Sequence, residues 1–291
     1  MFHGSIVALV TPMQSDGTID LECLRALVEW HIQEGSNGIV IMGSTGEAAT
    51  LNEAERGLII QHALEQSNGR IPIIAGTGTN STDQTIHFTR QAFNLGIDAC
   101  LVVTPYYNRP TQEGLYLHFK AVAQAVPVPL ILYNVPTRTS CDLRSETVLR
   151  LAPISNIIGL KDATGDLPRA LELLQQCGPS LDLYSGDDPS CCNFILQGGK
   201  GVISITSNVA PQLMQQMCKL ALKKDASGAH AIDEQLQSLH KFLCIESNPI
   251  PVKWALHYME KIPTGIRLPL TKLSEAHHNV VINAMRLASV I

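Results

Sequence analysis

The sequence has no apolar stretch approaching the roughly 20 residues that a helix needs to cross a bilayer. Its first apolar run, IVALV at residues 6–10, is too short for the core of a secretory leader and has no basic region before it. Both absences point to a cytoplasmic protein with no membrane partner. Basic charge is not in excess either: 21 Lys and Arg face 26 Asp and Glu, a net charge of −5 with both signs interspersed. A nucleic-acid-binding chain usually carries a basic surface, so no nucleic-acid partner is expected. A small anionic substrate remains open, because one local Arg or Lys suffices to bind it. The eight Cys show no C-x-x-C spacing and no H-E-x-x-H occurs. Neither zinc nor a disulfide framework is therefore indicated, and reduced thiols are the simplest reading.

What is present is a long globular chain of 291 residues, 45% of them hydrophobic, enough for one large α/β barrel or two ordinary domains. Eight short apolar runs recur: 6–10, 38–42, 71–75, 99–103, 129–133, 156–160, 181–185 and 201–205. They are rich in Val, Ile and Leu and do not alternate with polar residues, which is how parallel strands buried on both faces read. Helical spacing lies between them, over 21–34, 52–66, 81–95 and 112–125, with Asn52 as an N-cap and Gly35 and Gly96 as stop signals. Eight such units predict a closed (β/α)8 TIM barrel. An open doubly wound sheet would usually carry G-x-G-x-x-G after its first strand, and here Thr11-Pro12-Met13 follows instead. Strand signals stop near residue 224, and 228–245, 249–260 and 272–289 read as helices. The expected division is a catalytic barrel over 1–224 and a C-terminal α-helical domain over 225–291.

Barrel enzymes place their chemistry at the C-terminal ends of the strands. The second run leads into Gly43-Ser44-Thr45-Gly46-Glu47, the fourth into Thr104-Pro105-Tyr106-Tyr107-Asn108, and the fifth into Asn134-Val135-Pro136-Thr137-Arg138. The sixth leads directly into Lys161-Asp162, and the seventh into Gly186-Asp187-Asp188. Lys161 is the most informative of these. An amine held partly out of water at a barrel mouth is favoured in its neutral form, which attacks carbonyls. The alternative is a lysine paired with an acid at the strand end. Gly43–Glu47 offers two adjacent hydroxyls and backbone N–H groups suited to a carboxylate, or else an ordinary strand-to-helix turn. Tyr133 ends the neighbouring strand, where a phenol can shuttle protons for a Schiff base or merely line the rim. Arg138 suits bidentate binding of a carboxylate, or a surface salt bridge. The Cys and most of the ten His have no partners at useful spacing.

Together these residues resemble the pyruvate-dependent aldolase superfamily typified by N-acetylneuraminate lyase, and within it the dihydrodipicolinate synthase family. The resemblance is carried by GSIVALVTPM, GSTGEAATL, IIAGTGTN, VTPYYNRPTQEGLYLHFK, LYNVPTRT, IIGLKDATGD, SGDD, GVISITSNVA and NPIPVKWA, in order from residue 4 to about 255, with GIRLPL near the end. It implies that Lys161 forms a Schiff base with pyruvate. It implies a proton relay of Tyr133, Thr45 and Tyr107, the last reaching in from a neighbouring subunit of a homotetramer built as a dimer of dimers. Ser44 stands where the family usually has Thr, keeping the hydroxyl and losing a methyl. Arg138 is implied to bind the carboxylate of L-aspartate 4-semialdehyde, the backbone at Ile203 to line the pyruvate pocket, and Gly186 to lie near its mouth. The implied activity is a lyase-type condensation in the diaminopimelate route of lysine biosynthesis, with no metal or organic cofactor required.

Arg138 argues against a sialic acid lyase, which by the same resemblance lacks an Arg at this point. A pyruvate aldolase of another specificity, such as one for 2-keto-3-deoxy sugar acids, is the runner-up. A phosphate-binding barrel is disfavoured by Asp187 and Asp188 in the seventh loop, which would repel phosphate. A non-catalytic keto-acid sensor would have no reason to keep lysine, phenols, hydroxyls and Arg together. Some family members are inhibited by L-lysine, and Asn80, Tyr106, Ala49 and the position of Gln84 correspond to that site. Gln84 replaces a Glu of the inhibited members, and Glu53 and Arg56 stand where some have His. A neutral amide removes a charge partner, at a cost of roughly 1.5–3 kcal/mol, so weak or absent lysine feedback is expected.

Overall fold

The computed structural model describes residues 2–177 and 180–291. Each apolar run supplies a strand: β1 (Gly4–Ala8), β2 (Gly38–Ile41), β3 (Ile73–Gly76), β4 (Ala99–Val103), β5 (Leu130–Asn134), β6 (Ile157–Asp162), β7 (Asp182–Ser185) and β8 (Gly201–Ser204). They pair in sequence order, all parallel, and β8 returns to β1 to close the barrel. Three strands end beyond their apolar runs, β3 at Gly76 and two at polar residues. Asn134 closes β5 and Asp162 closes β6, so Lys161 lies inside its strand rather than just beyond it. The paired register Tyr133↔Lys161 and Asn134↔Asp162 accounts for this, because ladder hydrogen bonds continue through polar residues when a neighbour is there to receive them.

The helices α1 (Leu21–Gln33), α2 (Glu53–Ser67), α3 (Thr82–Asn94) and α4 (Gln112–Ala125) match the periodic stretches to within a residue or two. Asn52 caps α2 in a reciprocal box with Glu55, and Gly35 and Gly96 take the positive φ of helix stops. A one-turn helix, α5 (Pro136–Thr139), occupies what reads as a stiff loop, with Pro136 in its first turn. Then come α6 (Ser145–Leu151), α7 (Leu167–Cys177), α8 (Cys191–Leu196) and α9 (Pro211–Leu222). The short α8 is why the last two strands follow each other so closely. Beyond the barrel lie α10 (Ala226–Phe242), α11 (Ile250–Tyr258) and α12 (His278–Leu287). The third is shorter than its apolar pattern, because a 3-10 turn, Glu275–His277, leads into it. Among the described residues no helix is long and apolar enough to cross a membrane.

Alternation along the strands makes two apolar shells. Ile6, Val40, Ile74, Leu101, Ile131 and Ile203 point inward and fill the barrel, while Val7, Ile39, Ile73, Val102, Leu132 and Val202 point outward against the helices. Tyr184 stands inside and low, its hydroxyl directed at Asp182 near the strand start.

Two core histidines sit in apolar surroundings. His31 is fully buried with Nδ1 at 2.9 Å from Ser36 Oγ, and His118 has Nδ1 at 3.0 Å from Thr82 Oγ1; the Nε2 of each is buried without a partner. Burial pulls them down to about 3 and about 4. Well above pH 6.5 both are neutral folded or unfolded. As pH falls, the unfolded chain takes up protons first, so stability drops. Each histidine is expected to remove about 2 kcal/mol between pH 7 and pH 5. Urea unfolding at the two pH values measures this, and His31→Gln should flatten the slope; an unchanged slope would assign the acid sensitivity elsewhere.

Candidate active site

A cavity of about 450 Å³ opens at the C-terminal end of the barrel. Its floor and walls come from strand ends: Ser44 and Thr45 after β2, Tyr133 on β5, Lys161 on β6, and Gly186 after β7. Lys161 is 6% exposed, and its Nζ sits 4.3 Å from the centroid of the Tyr133 ring. Among the described residues it makes no salt bridge. The acid next to it in sequence is not its partner. Asp162 alternates to the outer face, where Arg169 Nε lies 3.6 Å from its Oδ2. Burial raises the Asp162 carboxyl above its ordinary value, with Arg169 pulling the other way. Arg169 also grips both oxygens of Asp142, at 2.9 and 2.8 Å. Asp162 and Asp142 are thus engaged by Arg169, and among the described residues the lysine amine has no ion-pair partner in the cavity.

Gly186 leaves room for that amine. A Cβ there would stand 2.7 Å from Ala163 Cβ and 2.8 Å from Lys161 Cε. Gly186→Ala should therefore push the lysine aside by several tenths of an ångström. A displacement of that order at a reacting atom costs up to about a hundredfold in rate. Steady-state kinetics beside a melting curve checks this: kcat falls in protein that still folds, with Tm lowered by the roughly 1–3 kcal/mol of overpacking against Ala163, whereas unaltered kcat would mean the lysine has slack.

Arg138, on α5, reaches the cavity rim, and its Nη2 donates to the backbone oxygen of Asn248 at 3.1 Å. Ile203 is 1% exposed among the barrel-filling residues, and Ile205, two residues on, lines the cavity. Tyr107 is not brought to the cavity by its own chain: it is 87% exposed on a backbone with φ of 74°. The acids of the seventh loop face away from the cavity. Asp187 accepts from Ser190 N and Oγ, and Asp188 accepts through Oδ2 from the backbone N of Ile205 and Thr206, at 3.0 Å each. They brace the loop that carries Ile205, so their charge does not line the cavity.

A second cleft of about 380 Å³ shares Ser44, Tyr133 and Arg138 with the first. Ala49, Tyr106 and Arg56 line it, whereas Asn80 and Gln84 do not. Arg56 is buried there, donating to Gly76 O and Ala48 O and lying over the Phe88 ring. Glu53 is directed at His87, 2.8 Å away, on the exposed side of α2.

Sequence reasoning missed the role of the segment joining α10 to α11. Residues 244–248 form one side of the cavity. Asn248 Nδ2 donates to Thr45 Oγ1 at 2.9 Å. On α11, Lys253 Nζ meets Glu47 Oε1 at 2.5 Å, with both residues under 5% exposed, and Arg267 N donates to Glu47 Oε2. Burial lowers Lys253 while the Glu47 charge opposes it. The legible signal was Lys253 itself, alone and charged among Ile250, Pro251, Val252, Trp254, Ala255 and Leu256; such a residue is buried and paired.

Fold and cavity together define the class: a (β/α)8 barrel with a buried, unpaired lysine at a strand end, the arrangement of Schiff-base aldolases. A family model described as the dihydrodipicolinate synthetase family matches residues 1–287. The chain belongs to that family. It is 58% identical over 290 residues to the 4-hydroxy-tetrahydrodipicolinate synthase of Thioalkalivibrio sulfidiphilus, covering 100% of this chain and 99% of the relative. It is 56% identical to that of Nitrosococcus oceani, with 98% of each chain covered. The crystal structure of the chloride-inhibited dihydrodipicolinate synthase from Acinetobacter baumannii, complexed with pyruvate, superposes with a TM-score of 0.99 at 52% identity, covering 100% of both chains.

Proposed function

We propose that this chain is a lyase that condenses pyruvate with L-aspartate 4-semialdehyde to 4-hydroxy-tetrahydrodipicolinate, in the diaminopimelate route of lysine biosynthesis. The observation that carries the reading is Lys161, buried in the strand-end cavity against Tyr133 with no ion pair among the described residues. Its amine adds to the ketone of pyruvate and water leaves, giving an iminium. The cationic nitrogen draws electrons, so a methyl proton is lost and an enamine forms. The enamine carbon attacks the aldehyde, whose oxygen becomes a hydroxyl. The amino group of the semialdehyde then attacks the imine carbon, closing a six-membered ring and expelling the Lys161 amine. Every step moves a proton, and the hydroxyl-bearing residues Tyr133, Thr45 and Ser44 line the same cavity and suit that transfer. Arg138 at the rim suits the semialdehyde carboxylate.

The reading includes a cytoplasmic homotetramer in which Tyr107 of one subunit completes the relay of another. What supports it is Tyr107, 87% exposed at a positive φ of 74° and so available to a neighbouring subunit. The test is borohydride reduction with pyruvate, followed by peptide mass spectrometry and turnover with the semialdehyde. A pyruvyl adduct on Lys161 together with ring product is expected. An adduct without turnover would move the second substrate to another aldehyde, and no adduct would overturn the reading.

A further inference from the structure

The second substrate carries an α-ammonium beside its α-carboxylate, and Arg138 answers only the carboxylate. Both groups hang on one carbon, so whatever receives the ammonium has to stand within a side chain's reach of Arg138. The cavity has one acidic residue in its lining, Glu246. The other acids nearby are engaged elsewhere: Glu47 by Lys253 and Arg267 N, Asp162 by Arg169, Asp187 by Ser190, and Asp188 by the backbone of Ile205 and Thr206.

Glu246 lies on the segment joining α10 to α11. Arg138 Nη2 donates to the backbone oxygen of Asn248, two residues further on, at 3.1 Å, and two residues of chain span at most about 7 Å. The Glu246 carboxyl is fastened at one oxygen: Oε1 accepts from Ser274 N at 3.2 Å, and His277 Nε2 stands 3.8 Å from that oxygen. Oε2 makes no hydrogen bond among the described residues, and the side chain is 20% exposed. An ionised carboxylate can only accept, and at neutral pH the amino group of a free amino acid is largely an ammonium with three N–H donors. Resting on the function proposed above, we propose that Glu246 holds the α-ammonium of the second substrate, so that the site selects an amino aldehyde over the same chain without its nitrogen. Arg138 and Glu246 then grip the two charges of one carbon and turn its aldehyde toward Lys161.

The test compares Glu246→Gln with the parent, both as full-length chains. The amide keeps the side-chain shape and an oxygen for Ser274 N, and loses the charge. Losing one partner of a charge-assisted hydrogen bond weakens binding roughly ten- to a hundredfold, so KM for the semialdehyde should rise by that factor. KM for pyruvate should stay within twofold, and the borohydride adduct on Lys161 and the exchange of pyruvate methyl protons in D2O should be unchanged. The deciding probe is 4-oxobutanoate, the same aldehyde and carboxylate without the amino group, measured as an inhibitor. It offers Glu246 nothing, so its inhibition constant in Glu246→Gln should equal the parental value or fall below it. Glu246→Ala should give the same split between the two ligands and carries the comparison if the amide variant does not fold. A KM for the semialdehyde within twofold of the parent overturns the inference. So does a loss of 4-oxobutanoate affinity as large as the rise in KM, which would mean that Glu246 only packs the rim. No adduct or no ring product in the parent protein would instead sink the proposed function, so the two failures are distinct.

Discussion

Lys161→Ala should lower kcat by about a thousandfold or more and abolish the borohydride adduct, without lowering the melting temperature. The loss of rate follows from removing the nucleophile that makes the covalent intermediate. The retention of stability follows from its surroundings. Lys161 is 6% exposed and among the described residues pairs with no carboxylate, since Asp162 turns outward to Arg169. An ammonium or amine held out of water without a partner is a cost to the fold, and alanine removes it. Circular-dichroism melting with steady-state assay of the same preparation checks both halves. A variant that keeps a tenth of parental turnover would show that catalysis does not run through this lysine, and a large fall in Tm would show that the amine has a structural partner.

The other deeply buried lysine should behave in the opposite way. Lys253→Met leaves Glu47 buried with its main counter-charge gone, and breaking a buried pair from one side costs about 3–5 kcal/mol. For a chain of this size that corresponds to a Tm lower by roughly 6–15 °C. Activity should fall too, because Glu47 ends the loop that carries Ser44 and Thr45 and is fastened from α11 at Oε1 and from Arg267 N at Oε2. Glu47→Gln combined with Lys253→Met removes both charges and should recover much of the lost stability. A double variant no more stable than Lys253→Met alone would mean that packing of the lysine stem, rather than the pair, holds the loop. The two buried lysines thus separate a group kept unpaired for chemistry from one paired for architecture.

The barrel was legible because a parallel strand covered on both faces has to be built of Val, Ile and Leu, and eight such runs are countable in a linear text. The strand-end residues were legible for a related reason: in this fold the position along the chain decides which residues face the mouth. Lys161, Tyr133, Thr45, Ser44 and Gly186 therefore converge on one cavity as their place in the chain requires. Other features had no local signature. Whether Lys161 is free or paired depends on the alternation that carries Asp162 to the outer wall, and a strand boundary one residue different would reverse it. Asp187 and Asp188 read as acids facing a ligand, yet Ser190 of the same loop donates to Asp187 and the backbone N–H groups of Ile205 and Thr206 donate to Asp188.

By itself the sequence determined the eight-stranded closure, the end of the barrel that holds the chemistry and the residue types available there, because these follow from periodicity and chain order. Only the tertiary structure decided how that site is held. Thr45 and Asn248 are 203 residues apart and Glu47 and Lys253 are 206 apart. Contacts over such separations exist only once the barrel has closed and the C-terminal helices have folded back across its mouth. No local pattern encodes a hydrogen bond between side chains so far apart along the chain.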